Sequence, residues 1–176
     1  MFTLPATSPS GKYRVVVGDH YGQSSKVIAL VRPTLAPTTV TSDTCADAAI
    51  IPPTGGFFTG DTSLRIADYN TSCDAANQPV GTTKDQVLKL TLDARKRVVF
   101  DMSGSEYNSL IDIRQGEPCP GVAVTDACNP SFSAGRAFLD VNLNPGTYFI
   151  LIDGYSGAVG KWNLDVRVLD PDPPAP

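Results

Sequence analysis

Apolar and polar residues alternate with a period of two along much of this chain. In Val87-Leu88-Lys89-Leu90-Thr91-Leu92 the side chains of Leu88, Leu90 and Leu92 fall on one face, with Lys89 and Thr91 on the other. Trp162-Asn163-Leu164-Asp165-Val166-Arg167-Val168 alternates in the same way. Successive side chains of a strand point to opposite faces, so this pattern predicts strands with one buried and one wet face. Strands are predicted over 56–60, 86–92, 97–101, 109–114, 136–143, 147–152 and 161–169. Together they predict an all-β, antiparallel, jelly-roll-like β-sandwich over residues 45–170. No segment reads as a long helix. Residues 43–50 (DTCADAAI) predict one or two helical turns, capped by Asp43 or Thr44.

Outside that span the pattern changes. Residues 1–33 hold two apolar runs, 12–17 and 26–32, joined by Gly18-Asp19-His20-Tyr21-Gly22. They read as an additional N-terminal β-hairpin, the closing piece of a preceding sandwich domain. Residues 34–44 are rich in Pro and Thr and read as a stiff linker; the tail 171–176 (PDPPAP) reads as the start of another. A gap-free shift of 135 positions lays the first hairpin on the C-terminal strands, pairing Gly11 with Gly146, Tyr13 with Tyr148 and Gly22 with Gly157. Two readings of this echo stand side by side. One is a true repeat. The other is the Gly-x-Tyr start of a penultimate strand, whose Tyr hydroxyl pins the chain at a sandwich corner.

Composition narrows the function classes. Gly and Pro number 15 each, as expected of many short strands joined by turns. The formal net charge is −4, which gives no electrostatic footprint for nucleic acid. No run of 18 apolar residues provides a membrane span, and the first residues do not read as a signal peptide. There are four cysteines, Cys45, Cys73, Cys119 and Cys128, with 27, 45 and 8 residues between successive ones. An even count without CxxC predicts two disulfides and an oxidising compartment rather than zinc. The short Pro/Gly-rich interval favours Cys119–Cys128, leaving Cys45–Cys73.

Candidate chemistry is sparse. The one histidine, His20, sits in the hairpin turn, so no Ser-His-Asp or Cys-His site is expected. Glutamates are only Glu106 and Glu117, and nothing singles out a general acid. Asp68, Asn70 and Asp74 share a loop and are the weak candidates for calcium, which takes several oxygen ligands. Gly55-Gly56 and 154–160 lack phosphate-loop spacing and read as turns. Among the aromatics Tyr69, Tyr107, Phe132, Tyr155 and Trp162, an exposed polymer- or sugar-binding surface is expected to use Tyr107 and Tyr155, and Trp162 is expected in the core. Asn70-Thr71-Ser72 fits the glycosylation pattern.

Residues 43–170 resemble the bacterial pre-peptidase C-terminal domain. The likeness rests on Asp43–Ala49 (DTCADAA), Gly55–Gly60 (GGFFTG), Lys84–Leu92 (KDQVLKLTL), Gly104–Arg114 (GSEYNSLIDIR) and Asn144–Gly157 (NPGTYFILIDGYSG). The chain departs from that pattern in carrying Asn129-Pro130-Ser131 after Cys128, in place of an acidic pair. It also has Ala67-Asp68-Tyr69 where the family has Asp-Asp-Tyr. Residues 10–17 (SGKYRVVV) resemble the last hairpin of an immunoglobulin-like domain. The resemblance implies a sandwich appended to secreted or surface proteins, without a catalytic site and without a cofactor other than calcium in some members. Its expected partners are other domains of the same polypeptide or neighbouring subunits, or an extracellular polymer or carbohydrate. A self-associating version would use the N-terminal hairpin and could extend into a filament. The alternatives are a lectin-like domain binding carbohydrate or calcium, and a secreted hydrolase with a carboxylate site.

Overall fold

The computed structural model describes the backbone of residues 11–18 and 24–31, and residues 36–74, 83–130 and 136–171 in full. The chain divides into two compact units, Met1–Ala36 and Pro37–Pro176. In the first, β1 (Gly11–Gly18) and β2 (Ser24–Val31) form the expected antiparallel hairpin, in register from Gly11↔Val31 to Gly18↔Ser24. The turn with His20 lies outside the described residues.

The second unit is an all-β sandwich of two five-stranded sheets. Its strands are β3 (Thr38–Thr39), β4 (Ala49–Ile51), β5 (Gly55–Asp61), β6 (Gln86–Leu92), β7 (Lys96–Asp101), β8 (Ser109–Gln115), β9 (Val122–Pro130), β10 (Phe138–Leu143), β11 (Gly146–Gly154) and β12 (Lys161–Leu169). One sheet runs β10-β7-β12-β5-β3 and the other β4-β6-β11-β8-β9. From β3 to β12 the chain changes sheet at each step except β8 to β9, which pair directly. Most neighbours pair antiparallel as expected, and two edge pairs are parallel, β3 with β5 and β4 with β6. Parallel neighbours need a crossover between them. Here the crossover is the intervening strand in the opposite sheet.

Alternation places the core where the pattern predicted. Leu88, Leu90 and Leu92 of β6, Val98 and Phe100 of β7, Ile111 and Ile113 of β8, Tyr148, Ile150 and Ile152 of β11, and Trp162, Leu164 and Val166 of β12 meet between the sheets. Gln86 ties this core together. Its Oε1 accepts from Trp162 Nε1 (2.9 Å) and from the Asp61 amide (3.1 Å), and its Nε2 donates to the carbonyls of Val40 (3.2 Å) and Ser42 (2.8 Å). Every hydrogen-bonding group of this buried amide is thereby satisfied. Gly60 lies against the same indole. A Cβ there would stand 2.4 Å from the Trp162 ring, so the close approach requires glycine.

Three sequence expectations shift. The linker predicted over 34–44 is part of the sandwich from Thr38 on: Thr38 and Thr39 pair with Phe58 and Thr59, and Val40 and Ser42 are buried. The helical turns predicted over 43–50 shrink to one 3-10 turn, Cys45–Asp47, capped by Thr44, with Asp47 returning a bond to the Thr44 amide (2.8 Å). That bond and its neighbours hold the exposed Asp47 carboxyl below its usual range. Finally, β11 and β12 lie in different sheets, so the C-terminal half of the 135-residue echo is no hairpin. Tyr148 donates to the Asn144 carbonyl (2.8 Å), as the corner reading of Gly-x-Tyr requires.

Candidate functional site

The chemistry of the sandwich concentrates on the outer face of the β4-β6-β11-β8-β9 sheet. Val87, Phe149 and Leu151 point outward there yet are buried, because Ala48, Tyr69 and Cys119 pack on them. Three irregular segments supply the cover: the turn at Cys45–Ala48, a strap of residues 65–74, and the β8–β9 connection around Cys119. Tyr69 Oη accepts from the Cys45 amide (2.9 Å), joining the first two.

Two disulfides hold the cover down, and their pairing corrects the expected one. Cys45 is bonded to Cys119 and Cys73 to Cys128, with Cα atoms 5.8 and 5.9 Å apart. The expected Cys119–Cys128 bridge fails on geometry. Val122–Pro130 is a strand rather than hairpin loop, and Cys128 within it pairs with Asp112 of β8. The strand from Val122 to Cys128 covers roughly 20 Å, which carries Cys128 away from the connection that holds Cys119. The bridges therefore close long loops, with sequence separations of 74 and 55.

Buried carboxylates hold the strap between those bridges. Asp112 of β8 accepts from the Ser72 amide (2.8 Å) and hydroxyl (3.0 Å) and from Arg114 Nε (3.1 Å). Arg114 also donates to the Asn70 carbonyl. Asp153 of β11 accepts from the Gly154 amide (2.6 Å) and from Thr71 Oγ1 (3.3 Å). Asp85, just before β6, takes the amides of Asp68 (3.0 Å) and Tyr69 (2.9 Å) on Oδ2, while its buried Oδ1 has no hydrogen-bond partner. Burial pushes Asp85 up to about 7, with the charges of Asp68 and Asp43 adding to it against the two amides. Burial pushes Asp153 up to about 8, with the charges of Asp85 and Asp74 adding to it.

The predicted site residues fall around this cover. Asp68 and Asn70 are exposed, while Asp74 accepts from the Ser156 amide (2.8 Å) and Thr83 Oγ1 (3.3 Å). Among the described residues no group of three acidic, His or Cys side chains is arranged to hold a metal ion. Tyr107, expected at the surface, is 8% exposed; its hydroxyl donates to the Asp153 carbonyl (3.2 Å) and is pushed up by burial. Its turn folds back under Gly154 and Gly160, which removes it as a stacking surface. Tyr155 is half-buried in the turn after β11, and Trp162 is in the core as expected. Phe132 lies outside the described residues. Sequence reasoning missed Asp85, Asp112 and Asp153 as a set. The one signal for Asp112 and Asp153 was an acid at outward positions of strands otherwise filled with Leu, Ile and Val, while Asp85 falls just outside β6.

An open groove of about 400 Å³ lies at the sheet end where β5 finishes and β12 begins; Thr39, Thr59, Arg65, Glu106, Lys161 and Asn163 line it. Its charges are mixed in sign.

These elements define a disulfide-bridged, two-sheet β-sandwich with one covered outer face. No family model and no curated protein matches the chain. Among solved structures it is similar to the pre-peptidase C-terminal domain of a collagenase from Bacillus anthracis, at 8% identity and a TM-score of 0.41, covering 76% of this chain and 99% of that domain. The similarity is one of fold.

Proposed function

We propose that this chain is a non-catalytic accessory module of a secreted or surface protein, serving to space and attach neighbouring domains. The observation that supports it best is the pair of long-range disulfides. They secure segments with little core of their own, a device that persists in oxidising surroundings. No helix of the described residues is long and apolar enough to cross a membrane. The hairpin is the natural attachment element, because β1 and β2 pair only with each other among the described residues. An isolated two-stranded sheet is marginal alone and gains from a neighbouring domain or a second copy.

Thiol titration of the folded protein tests the compartment, and chromogenic esterase, glycosidase and peptidase substrates test the absence of catalysis. The expected result is no free thiol and no turnover above buffer. Four reactive thiols in a natively folded chain, or turnover that purification does not remove, overturns the reading. Sedimentation over a hundredfold concentration range tests self-association. A concentration-independent monomer eliminates assembly through the hairpin.

A further inference from the structure

We propose that the strap of residues 65–74 is a pH-responsive cover, seated when Asp85 and Asp153 are protonated and loosened when both carry charge. The geometry carries the argument. Asp85 and Asp153 rise from the two central strands' ends beneath the strap, both fully buried, and between them they hold Asp68, Tyr69 and Thr71. Neither has a cationic partner among the described residues. Arg114 is on Asp112 (3.1 Å), Lys89 on Glu117 (3.1 Å), and Lys84 donates to the Ser63 carbonyl (2.8 Å). The Nε of Arg65, at the strap's start, has no hydrogen-bond partner. The charges that act on the two carboxylates are those of acids: Asp68 on the strap and Asp43 before β4 on Asp85, and Asp74 on the strap and Asp85 itself on Asp153. Tyr69 and Tyr107 are the tyrosines packed nearby, and Tyr107 spends its proton on the Asp153 carbonyl. Ionising Asp85 and Asp153 thus adds two buried negative charges to a cluster already negative.

The sign follows from linkage. Both carboxyls stand above their ordinary value of 3.8 while the strap is seated, and return toward it when the strap opens to water. The seated form holds more protons over the interval from about 4 to about 8, so raising the pH through that interval favours opening; above it the effect levels off. The Cys73–Cys128 bridge ties the strap's end to β9, so opening is local and reversible.

Amide exchange of the intact, oxidised chain, corrected for intrinsic rates, tests this. Protection at Asp68 and Tyr69 is expected to fall at least tenfold from pH 5 to pH 8, while Leu88 and Ile150 in the central strands stay within twofold. The double variant Asp85→Asn, Asp153→Asn keeps the carbonyl acceptors and removes the charges, so its strap protection is expected to be flat with pH. A wild-type profile that is already flat overturns the proposal, as does a double variant that retains the fall. Carboxyl carbon shifts of the wild type provide a readout independent of whether the variant folds. Midpoints near 4 for both groups also overturn it.

Discussion

The two faces of the β4-β6-β11-β8-β9 sheet are buried by different physics. Its inner face meets the opposite sheet through Leu88, Leu90, Ile111, Ile113, Ile150 and Ile152, a continuous apolar layer. Its outer face offers the small cluster of Val87, Phe149 and Leu151 to the cover, with Leu110 buried at a further outward position of β8, and other outward positions are filled by groups such as Asp112 and Asp153. A fully buried Leu or Phe contributes about 1.5–3 kcal/mol, so the inner layer sustains itself. So small an outer core cannot order the roughly 20 residues laid on it, since each ordered residue costs about 1–2 kcal/mol of backbone entropy. Covalent bridges and hydrogen bonds to buried carboxyl groups make up the difference. Sheet burial and cover burial should therefore fail separately.

The largest effect is expected from the bridges. Replacing Cys45 and Cys119 together by Ala removes a closure of separation 74, worth about 4 kcal/mol on the chain-entropy model. At a few degrees per kcal/mol this lowers the melting midpoint by about 15 °C. Because the bridge lies outside the inner core, Trp162, the single tryptophan, is expected to keep its buried emission below the midpoint. A red-shifted Trp162 at low temperature breaks the comparison, for it makes the cover part of the same cooperative unit as the core. The loops closed by the two bridges overlap, so removing both costs less than twice as much.

Gln86 and Asp112 sharpen it from either side. Gln86→Leu leaves the Trp162 Nε1 and Asp61 donors and the Val40 and Ser42 carbonyls to find new partners in a closed space. The expected cost is about 3–4 kcal/mol, visible in a denaturant midpoint followed by Trp162 emission. Asp112→Asn keeps an acceptor for Ser72 but uncouples Arg114, whose side chain is 17% exposed. Water can reach that guanidinium, so the expected cost is smaller, about 2 kcal/mol. Strap amides are expected to lose protection first. Equal costs, or loss spread evenly over both sheets, contradicts a separable cover.

The same contrast explains what the chain's pattern revealed. The strands predicted over 86–92 and 161–169 appear with those bounds, because period-two alternation reports a face sealed by another sheet. Strand β9 was invisible to it. In Val122–Pro130 only Ala127 is buried, since β9 is an edge strand whose register shifts between Asp112 and Arg114 and whose Asp126 takes a positive φ of 57°. With β9 hidden, the eight residues between Cys119 and Cys128 read as a short loop and point to the wrong cysteine pairs. The strap was equally hidden. Its order comes from Asp85, Asp112, Asp153 and two bridges, all of them contacts between residues distant in sequence, and no local period encodes which backbone amide a buried carboxylate will receive. The parallel edges β3 and β4 are two and three residues long, too short to show alternation at all.

The smallest effect belongs to a pair with no part in either burial. Lys96 at the start of β7 donates to Asp170 just past β12 at 2.8 Å, and each charge moves the other's titration in the stabilising direction, Lys96 up and Asp170 down. The geometry is good, yet the Asp170 side chain is 90% exposed. In that setting solvent screening and the entropy of holding two flexible side chains consume the attraction. Asp170→Asn is therefore expected to leave the thermal midpoint unchanged within error at physiological salt. Strap and core amide protection should not move either. A measurable drop would mean that the close of the last strand is held by this contact rather than by the β12 ladder to β5 and β7. The inner core would then end sooner along the chain than its buried residues indicate.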